Sequence, residues 1–239
     1  MFSPRFTTAS QGYGAGWLSA TAPIFALTLL LTPQVARADC TSAPDSLQKV
    51  VCGAPQLSAT WNQIEAQIDT LKAADADLSA ALDADQVLFG TLLNKTLGDL
   101  EAEHSAEEVG ELILSGLQER LEFLRSVQTA KGSGVEGMWQ NAAGYLHLGA
   151  AEGAGQRLRL SVMEPIMGLR TCSLDLPATV TDGMAQAENP PSEEISALRA
   201  GQSALLGVDF TRSGRPASGP ADCNDSPSVS GWYFSVKDK

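Results

Sequence analysis

The sequence predicts an α+β protein in which a small N-terminal helical bundle precedes a C-terminal antiparallel β sandwich or barrel. Apolar residues recur every three or four positions over residues 45–131, the spacing of one face of a helix. Beyond residue 134 they alternate with polar residues, the period of a strand with one buried face. The tetrapeptide KGSG at 131–134 separates the two patterns and is typical of a linker.

Composition and charge exclude some classes of protein. The chain of 239 residues is 44% hydrophobic and 6% aromatic, which suits a folded protein rather than a disordered one. Its net charge of -12 and its pI near 4.5 argue against nucleic-acid binding, which needs a cationic face for the phosphates. The sequence contains no complete catalytic or cofactor motif, so no cofactor is expected.

Residues 1–38 have the features of a secretory signal peptide. They contain Arg5 and Arg37 but no acidic residue, and the apolar run IFALTLLL at 24–31 precedes an A-x-A motif at 36–38. This run is much shorter than the ~20 residues that span a bilayer, so a signal peptide is favoured over a membrane anchor. Cleavage is predicted between Ala38 and Asp39. The mature protein is then periplasmic or secreted, with 28 acidic and 14 basic residues and a net charge of -14.

The cysteine pattern predicts two disulfide bonds. Cys40, Cys52, Cys172 and Cys223 all lie in the predicted mature chain, and an even number in an exported protein indicates disulfides. Three connectivities are possible. Pairing Cys40 with Cys52 and Cys172 with Cys223 keeps each bridge within one compositional region and is favoured. Zinc binding by four thiolates is the alternative, but such sites usually contain C-x-x-C pairs, which are absent from the sequence.

The first domain, residues 39–131, is predicted to contain three main helices. The second of them covers about residues 77–101, and the third follows His104, where Ser105 and Glu108 form a capping box. Acidic residues outnumber basic ones by 16 to 6 over residues 39–132, against 12 to 8 in the remainder, so the helical half is the more acidic. The apolar face of the first main helix consists of Trp61, Ile64, Ile68 and Leu71.

The second domain, residues 138–239, is predicted to be rich in strands and to follow a linker at 132–137. Turn residues separate its alternating segments. A helical turn is expected at 192–200. Alternation predicts strands around residues 157–162, 206–210 and 232–236, with further strands at 145–148 and 171–174.

The nearest match to a catalytic motif is GQSAL at 201–205. A nucleophile elbow needs a second glycine where Leu205 stands, because its strained turn has no room for a side chain. Only two histidines could act as a base for Ser203. His104 precedes a helix cap, and His147 is predicted to share a strand face with Tyr145. No catalytic residue is therefore assigned, and the protein is not expected to be an enzyme.

The acidic clusters do not predict a metal site. Two Asp-Ala-Asp tripeptides, at 75–77 and 83–85, lack the spacing of a Ca²⁺-binding EF-hand, so a solvated helix edge is predicted. The DCND segment at 222–225 is interpreted as a turn that carries a disulfide. Glu107, Glu108 and Glu111 lie in the first turns of a helix, where carboxylates favour the positive end of the dipole.

The tryptophans do not identify a sugar-binding cleft. Paired carboxylates of a glycoside hydrolase would need such a cleft, and the sequence has no local signature for one. Trp61 and Trp232 lie on periodic apolar faces and are predicted to be core residues. The position of Trp139 is not predicted by its pattern.

One part of the mature chain resembles a known family. Asp39-Cys40, Leu47, Val51-Cys52, Pro55 and Leu57, followed by an amphipathic helix, resemble the N-terminal domain of LprI-type lysozyme-inhibitor proteins over roughly residues 39–72. The resemblance implies a helical module, a Cys40–Cys52 bridge and lysozyme inhibition. The chain departs from the family pattern at Trp61-Asn62, where the family commonly has Asp, and near Ile68, where it often has Tyr. No binding residue is therefore carried over.

The C-terminal half also resembles small β domains of envelope proteins. Cys172 within a strand and Cys223 before the GWY segment at 231–233 are similar to features of periplasmic inhibitor and lipocalin-like modules.

These observations predict an exported, non-enzymatic binding protein of the bacterial cell envelope. Its expected partner is a protein, and lysozyme or a similar cationic wall-cleaving enzyme is the sharpest candidate, because an acidic surface attracts a cationic one. Acidity also keeps proteins soluble, so charge alone does not select a partner. A structural or assembly factor of the envelope and a small envelope hydrolase are the alternatives. Neither nucleic acid nor a membrane span in the mature chain is expected.

Overall fold

The structure is a computed structural model, and all of its described residues belong to one compact unit, Arg37–Lys239. The predicted signal peptide, its cleavage site at Ala38–Asp39, and both Cys40 and Cys223 lie outside the described residues. The described residues are 45–129, 134–150, 155–163, 170–189, 193–199, 204–212, 215–216 and 228–237.

Four α-helices form the N-terminal part of the described chain. The three long ones confirm the three main helices predicted from apolar spacing, and α1 is an additional short helix. A single 3-10 turn, Ala76–Leu78, joins the second and third helices. The helices are α1 (Asp45–Gly53), α2 (Pro55–Ala74), α3 (Ser79–Glu103) and α4 (Ala106–Ser126).

Local chemistry sets where two of these helices begin. α2 starts at Pro55, whose fixed φ and missing N–H suit a first helical position. α4 starts at the predicted capping box, which the structure confirms. The Ser105 N–H donates to Glu108 Oε2 at 2.9 Å, and the Glu108 N–H donates to Ser105 Oγ at 3.4 Å. His104 ends α3 directly before this cap.

Eight of the nine described strands close into an antiparallel barrel. Each strand from β1 to β7 pairs with the next along the chain, and β9 pairs with both β7 and β1, which completes the ring. The short β8 pairs with the end of β7. The strands are β1 (Gly137–Asn141), β2 (Gly144–Ala150), β3 (Gln156–Met163), β4 (Arg170–Thr181), β5 (Met184–Asn189), β6 (Glu193–Arg199), β7 (Leu205–Arg212), β8 (Arg215–Pro216) and β9 (Gly231–Ser235).

The α+β prediction is confirmed, and the β part is a barrel rather than a sandwich. The helical turn expected at 192–200 is wrong, because Glu193–Arg199 is strand β6, paired with β5 and β7. Ile195 and Ala197 are fully buried on one side of this strand, which is the period of two that a strand requires.

Inward-facing side chains of the strands form the apolar interior of the barrel. They include Trp139, Leu160, Phe210 and Tyr233, each at most 1% exposed. The polar atoms of the two amphipathic rings are paired, since Trp139 Nε1 donates to the Val135 carbonyl at 2.8 Å and Tyr233 Oη donates to the Val229 carbonyl at 3.1 Å. Burial raises the pKa of Tyr233, so its hydroxyl stays a neutral donor.

The helical bundle packs against the outer wall of the barrel. Leu205 on β7, Phe234 on β9 and Val236 just after β9 belong to the same apolar core as the helices, not to the barrel interior. The Phe123 and Phe234 rings meet edge to face with centroids 6.1 Å apart. Where the chain leaves α4, the Gln128 N–H donates to the Ser235 carbonyl at 2.8 Å. The helices and the barrel therefore share one core.

A buried ion pair joins α3, α4 and the β1–β2 turn. Arg120 donates through Nη1 to Asp85 Oδ2 at 2.6 Å, and the two side chains are 1% and 2% exposed. The other carboxylate oxygen of Asp85 accepts the Ala142 N–H at 2.7 Å, at the tip of the β1–β2 hairpin. The Arg120 guanidinium also lies 5.0 Å from the Phe89 ring centre and 5.1 Å from that of Phe123.

Two predictions about burial are corrected by this arrangement. Asp85 was expected on a solvated helix edge but is 4% exposed, because it faces Arg120 and the hairpin rather than water. Trp232 was expected in the core but is 44% exposed, because the neighbouring Tyr233 takes the inward position on β9. Trp61, at 2% exposure, confirms its predicted place in the helical core.

Replacing Asp85→Ala should lower the free energy of unfolding by about 3–5 kcal/mol, since it leaves the Arg120 charge buried and unpaired. Urea denaturation measures this change. The matched control is Asp83→Ala. Asp83 pairs with Lys72, and the Asp83 side chain is 63% exposed. That change should cost less than ~1 kcal/mol. Equal losses in the two variants would contradict a structural role for the buried pair.

Replacing Gly144→Ala should destabilise the barrel by ~2 kcal/mol or more, because rigid backbone leaves no room for a methyl group. A Cβ at this position would lie 2.1 Å from the Ser161 carbonyl oxygen on β3. In Gly110→Ala, on α4, the new Cβ meets no atom within 4 Å. This control should gain about 0.5–1 kcal/mol from helix propensity, and thermal unfolding separates the two outcomes.

Candidate functional site

The last turns of α3 and the first turns of α4 carry a group of exposed carboxylates. Six acidic residues lie within residues 99–111, and no lysine or arginine occurs anywhere from 96 to 119. All six are exposed. We call this group the acidic tip; its members are Asp99, Glu101, Glu103, Glu107, Glu108 and Glu111.

The geometry of the turn keeps one of these carboxylates ionised. Hydrogen bonds from the Ser105 backbone N–H and, next, from its hydroxyl lower the pKa of Glu108, with His104 adding a small contribution. The Ser105 hydroxyl lies 2.8 Å from Glu108 Oε2. The capping box therefore fixes both the direction of α4 and a negative charge at its first turn.

A second polar surface lies on the outer face of the barrel. It is an open cleft of about 560 Å³, which we call the β cleft. Because alternate residues of a strand point outward, adjacent strands β2, β3 and β4 place their polar positions side by side. Strand register puts His147 opposite Arg159, Arg159 opposite Asp175, and Ser161 between Tyr145 and Ser173. The described residues that line the β cleft are Met138, Tyr145, His147, Arg159, Leu160, Ser161, Ser173, Leu174 and Asp175.

Ionic contacts hold one wall of the β cleft. Arg157 Nε lies 2.6 Å from Asp175 Oδ1, and Arg159 Nε lies 3.5 Å from Oδ2 of the same carboxylate. The hydrogen bond from Arg157 is the largest cause of the lowered pKa of Asp175. The carboxylate is thus charged and mainly neutralised by Arg157.

The structure describes both histidines of the hydrolase hypothesis but not its serine. His147 lies in the β cleft on the same outward face as Tyr145, which confirms the predicted shared face. His104 lies at the end of α3, in the acidic tip region. Ser203, the serine of the incomplete GQSAL motif, lies outside the described residues.

The candidate metal and disulfide residues are only partly described. Among the described residues, no group of three or more His, Cys, Asp or Glu could hold a metal ion. The 222–225 segment lies outside them. Cys52 lies in α1 and Cys172 in β4, and neither is a free cysteine. Because Cys40 and Cys223 are not described, the predicted connectivity stays a prediction.

The β cleft was not predicted from the sequence, although the polar residues of one of its strands were apparent there. The polar positions of the strand predicted around 157–162 are Arg157, Arg159 and Ser161. What the sequence could not show is that β2 and β4 flank this strand and bring His147 and Asp175 beside it.

Comparisons with family models, curated proteins and solved structures found no match for this chain. Within the described part of the chain, none of the helices has the length and apolar character needed to cross a membrane.

Replacing Glu108→Gln should flatten the loss of stability in acid. The pKa of Glu108 is lowered from its ordinary 4.5 in the folded state, so its stabilising effect is present above pH 4.5 and disappears as the pH falls through the lower folded value. Denaturant unfolding at a series of pH values below 4.5 measures the difference.

A second variant separates the two causes of that shift. Ser105→Ala removes the hydroxyl but keeps the backbone N–H, the larger cause, so it should flatten the acid dependence less than Glu108→Gln does. Identical pH profiles for Glu108→Gln and the wild type would contradict the role of the capping box.

Proposed function

We propose that this protein is an exported, non-enzymatic binding protein that docks a cationic wall-cleaving enzyme, such as an animal lysozyme, through its acidic tip. The supporting observation is the group of six exposed carboxylates at the end of α3 and the start of α4, without a lysine or arginine between residues 96 and 119. The proposal also includes a periplasmic or secreted location and the two predicted disulfide bonds.

Clustering of the carboxylates favours such docking. Charges within one Debye length, about 10 Å at 0.1 M salt, act together on an approaching ion. A compact group of carboxylates thus produces a stronger local potential than the same charges spread over the surface. Such a potential speeds the encounter with a cationic protein and orients it.

The fold supports presentation of the tip as a rigid element. α3 and α4 carry buried apolar stripes, including Leu93, Leu97 and Ile113, which hold the two helices in the bundle core. The capping box fixes the turn between them. A tip held in this way does not require the ordering of a loop on docking, which would otherwise reduce affinity.

The resemblance of residues 39–72 to LprI-type lysozyme-inhibitor proteins points in the same direction. It rests on the cysteines and leucines of the mature N-terminus, not on the acidic tip. The two lines of support are therefore independent of one another.

Neutralising the acidic tip should slow association with a cationic animal lysozyme by ~10-fold or more at low salt. The tip variant carries Asp99→Asn, Glu101→Gln, Glu103→Gln and Glu111→Gln, and it leaves the Ser105–Glu108 capping box intact. Association rates are measured at low and at physiological salt, together with the rate of wall cleavage by the lysozyme.

The control variant removes four exposed acidic residues elsewhere through Asp69→Asn, Asp77→Asn, Glu122→Gln and Asp209→Asn. It has the same net charge as the tip variant and should slow association far less. If the wild type neither associates with lysozyme at low salt nor slows its activity in excess, the proposed target is wrong.

A further inference from the structure

We propose that the β cleft is a binding site for a small organic molecule that carries an oxyanion, either a carboxylate or a phosphoryl group. This site is separate from the acidic tip, and it does not depend on the proposed lysozyme target. Its volume of about 560 Å³ falls in the ordinary range of small-molecule sites, roughly 300–1,000 Å³.

Polar groups from three strands line the cleft. His147 on β2 and Ser173 on β4 make no hydrogen bond or ion pair in the described part of the structure. The guanidinium of Arg159 on β3 makes a long ionic contact, 3.5 Å from Nε to Asp175 Oδ2, and the side chain is 55% exposed. Guanidinium, imidazole and hydroxyl groups can donate hydrogen bonds to the oxygens of a carboxylate or phosphoryl group.

Ser161 is the strongest sign that the cleft is more than a solvated sheet face. The residue is 2% exposed, and its hydroxyl is buried without a hydrogen-bond partner. Leaving a buried hydroxyl unpaired is costly, and such groups are rare in folded proteins. Ser161 lines the cleft, so a ligand bound there lies beside this residue.

The balance of charge favours an anion over a cation. Arg157 does not line the cleft, but it holds Asp175 Oδ1 at 2.6 Å and donates through Nη2 to the Asp175 carbonyl at 2.8 Å. The negative charge of Asp175 is thus largely matched from outside the cleft, and the guanidinium of Arg159 remains to attract an anion. This local balance contrasts with the acidic surface of the rest of the protein.

The remaining walls suit the organic part of a ligand. Tyr145 and Met138 contribute an aromatic ring and a thioether to the cleft. His147 lies along β2 over Gly149, where a Cβ would come within 2.7 Å of its ring. Gly149 therefore gives the imidazole the room to lie along the sheet at the side of the cleft.

The test is an NMR titration of the ¹⁵N-labelled protein with inorganic phosphate, phenyl phosphate and benzoate at constant ionic strength. We expect saturable shifts of amides near residues 145–147, 159–161 and 173–175. Phenyl phosphate should bind more tightly than inorganic phosphate, because Tyr145 and Met138 can contact its ring. Tighter binding of phenyl phosphate than of benzoate assigns a phosphoryl ligand, and the reverse assigns a carboxylate.

Three variants test the residues of the site. Arg159→Gln should weaken binding ~10-fold or more, since it removes the charge-assisted hydrogen bonds. Ser161→Ala should weaken binding about threefold to tenfold without lowering stability, because its hydroxyl has no protein partner to lose. Asp175→Asn should tighten binding severalfold, because it removes the anion that competes for Arg159.

The control is Lys95→Gln, which removes one positive charge from an exposed position of α3 outside the cleft. Its binding should match that of the wild type. The proposal is overturned if none of the three probes approaches saturation at ~10 mM, well above a Kd of about 1 mM. It is also overturned if Lys95→Gln weakens binding as much as Arg159→Gln, or if Ser161→Ala binds as the wild type does.

Discussion

The contact between Asp85 and Arg120 is the constraint on which the arrangement of helices and barrel depends. Its two charges come from α3 and α4, and the same carboxylate holds the Ala142 N–H of the β1–β2 turn. An apolar interface tolerates sliding, because the hydrophobic effect has no direction. A buried pair with fixed hydrogen bonds does not, since any shift leaves a charge unpaired in a medium of low dielectric constant. The pair therefore selects one register between bundle and barrel, while the surrounding apolar core supplies most of the stability.

Both candidate surfaces depend on this fixed register in different ways. The acidic tip is at the far end of the hairpin that α3 and α4 form, so its direction follows from how these helices are seated on the barrel. The β cleft lies on strands β2 to β4, and β2 begins at the turn that Asp85 holds. One polar contact inside the protein thus sets the geometry of an anionic surface and of a site with local positive charge. The opposite signs of the two surfaces suit partners of opposite chemistry.

The sequence predicted the helices and many strands, because apolar periodicity reports directly which face of an element is buried. It did not distinguish a barrel from a sandwich, since both show the same alternation and differ in whether β9 also pairs with β1. Asp85 and Arg120 were visible as polar residues on apolar stripes, between Leu82 and Phe89 and between Leu117 and Leu124. The sequence did not show that Asp85 pairs with Arg120, because this pairing depends on how α3 packs on α4. The Asp182-Gly183 dipeptide is also typical of a tight hairpin turn, although no turn was predicted there from the sequence. In the structure both residues have positive φ, 51° and 79°.

Ring closure by β9 has a consequence for the order of folding. Trp139 on the first strand pairs with Ser235 on the last, so this ladder brings together positions at opposite ends of the barrel sequence. Helical turns and the successive hairpins from β1 to β7 involve neighbours in the chain and can form early. The final seam must wait until the last strand is present, and it carries the largest entropic cost of loop closure. Until then β1 and β7 expose unpaired backbone edges, a state in which association with other chains competes with correct folding.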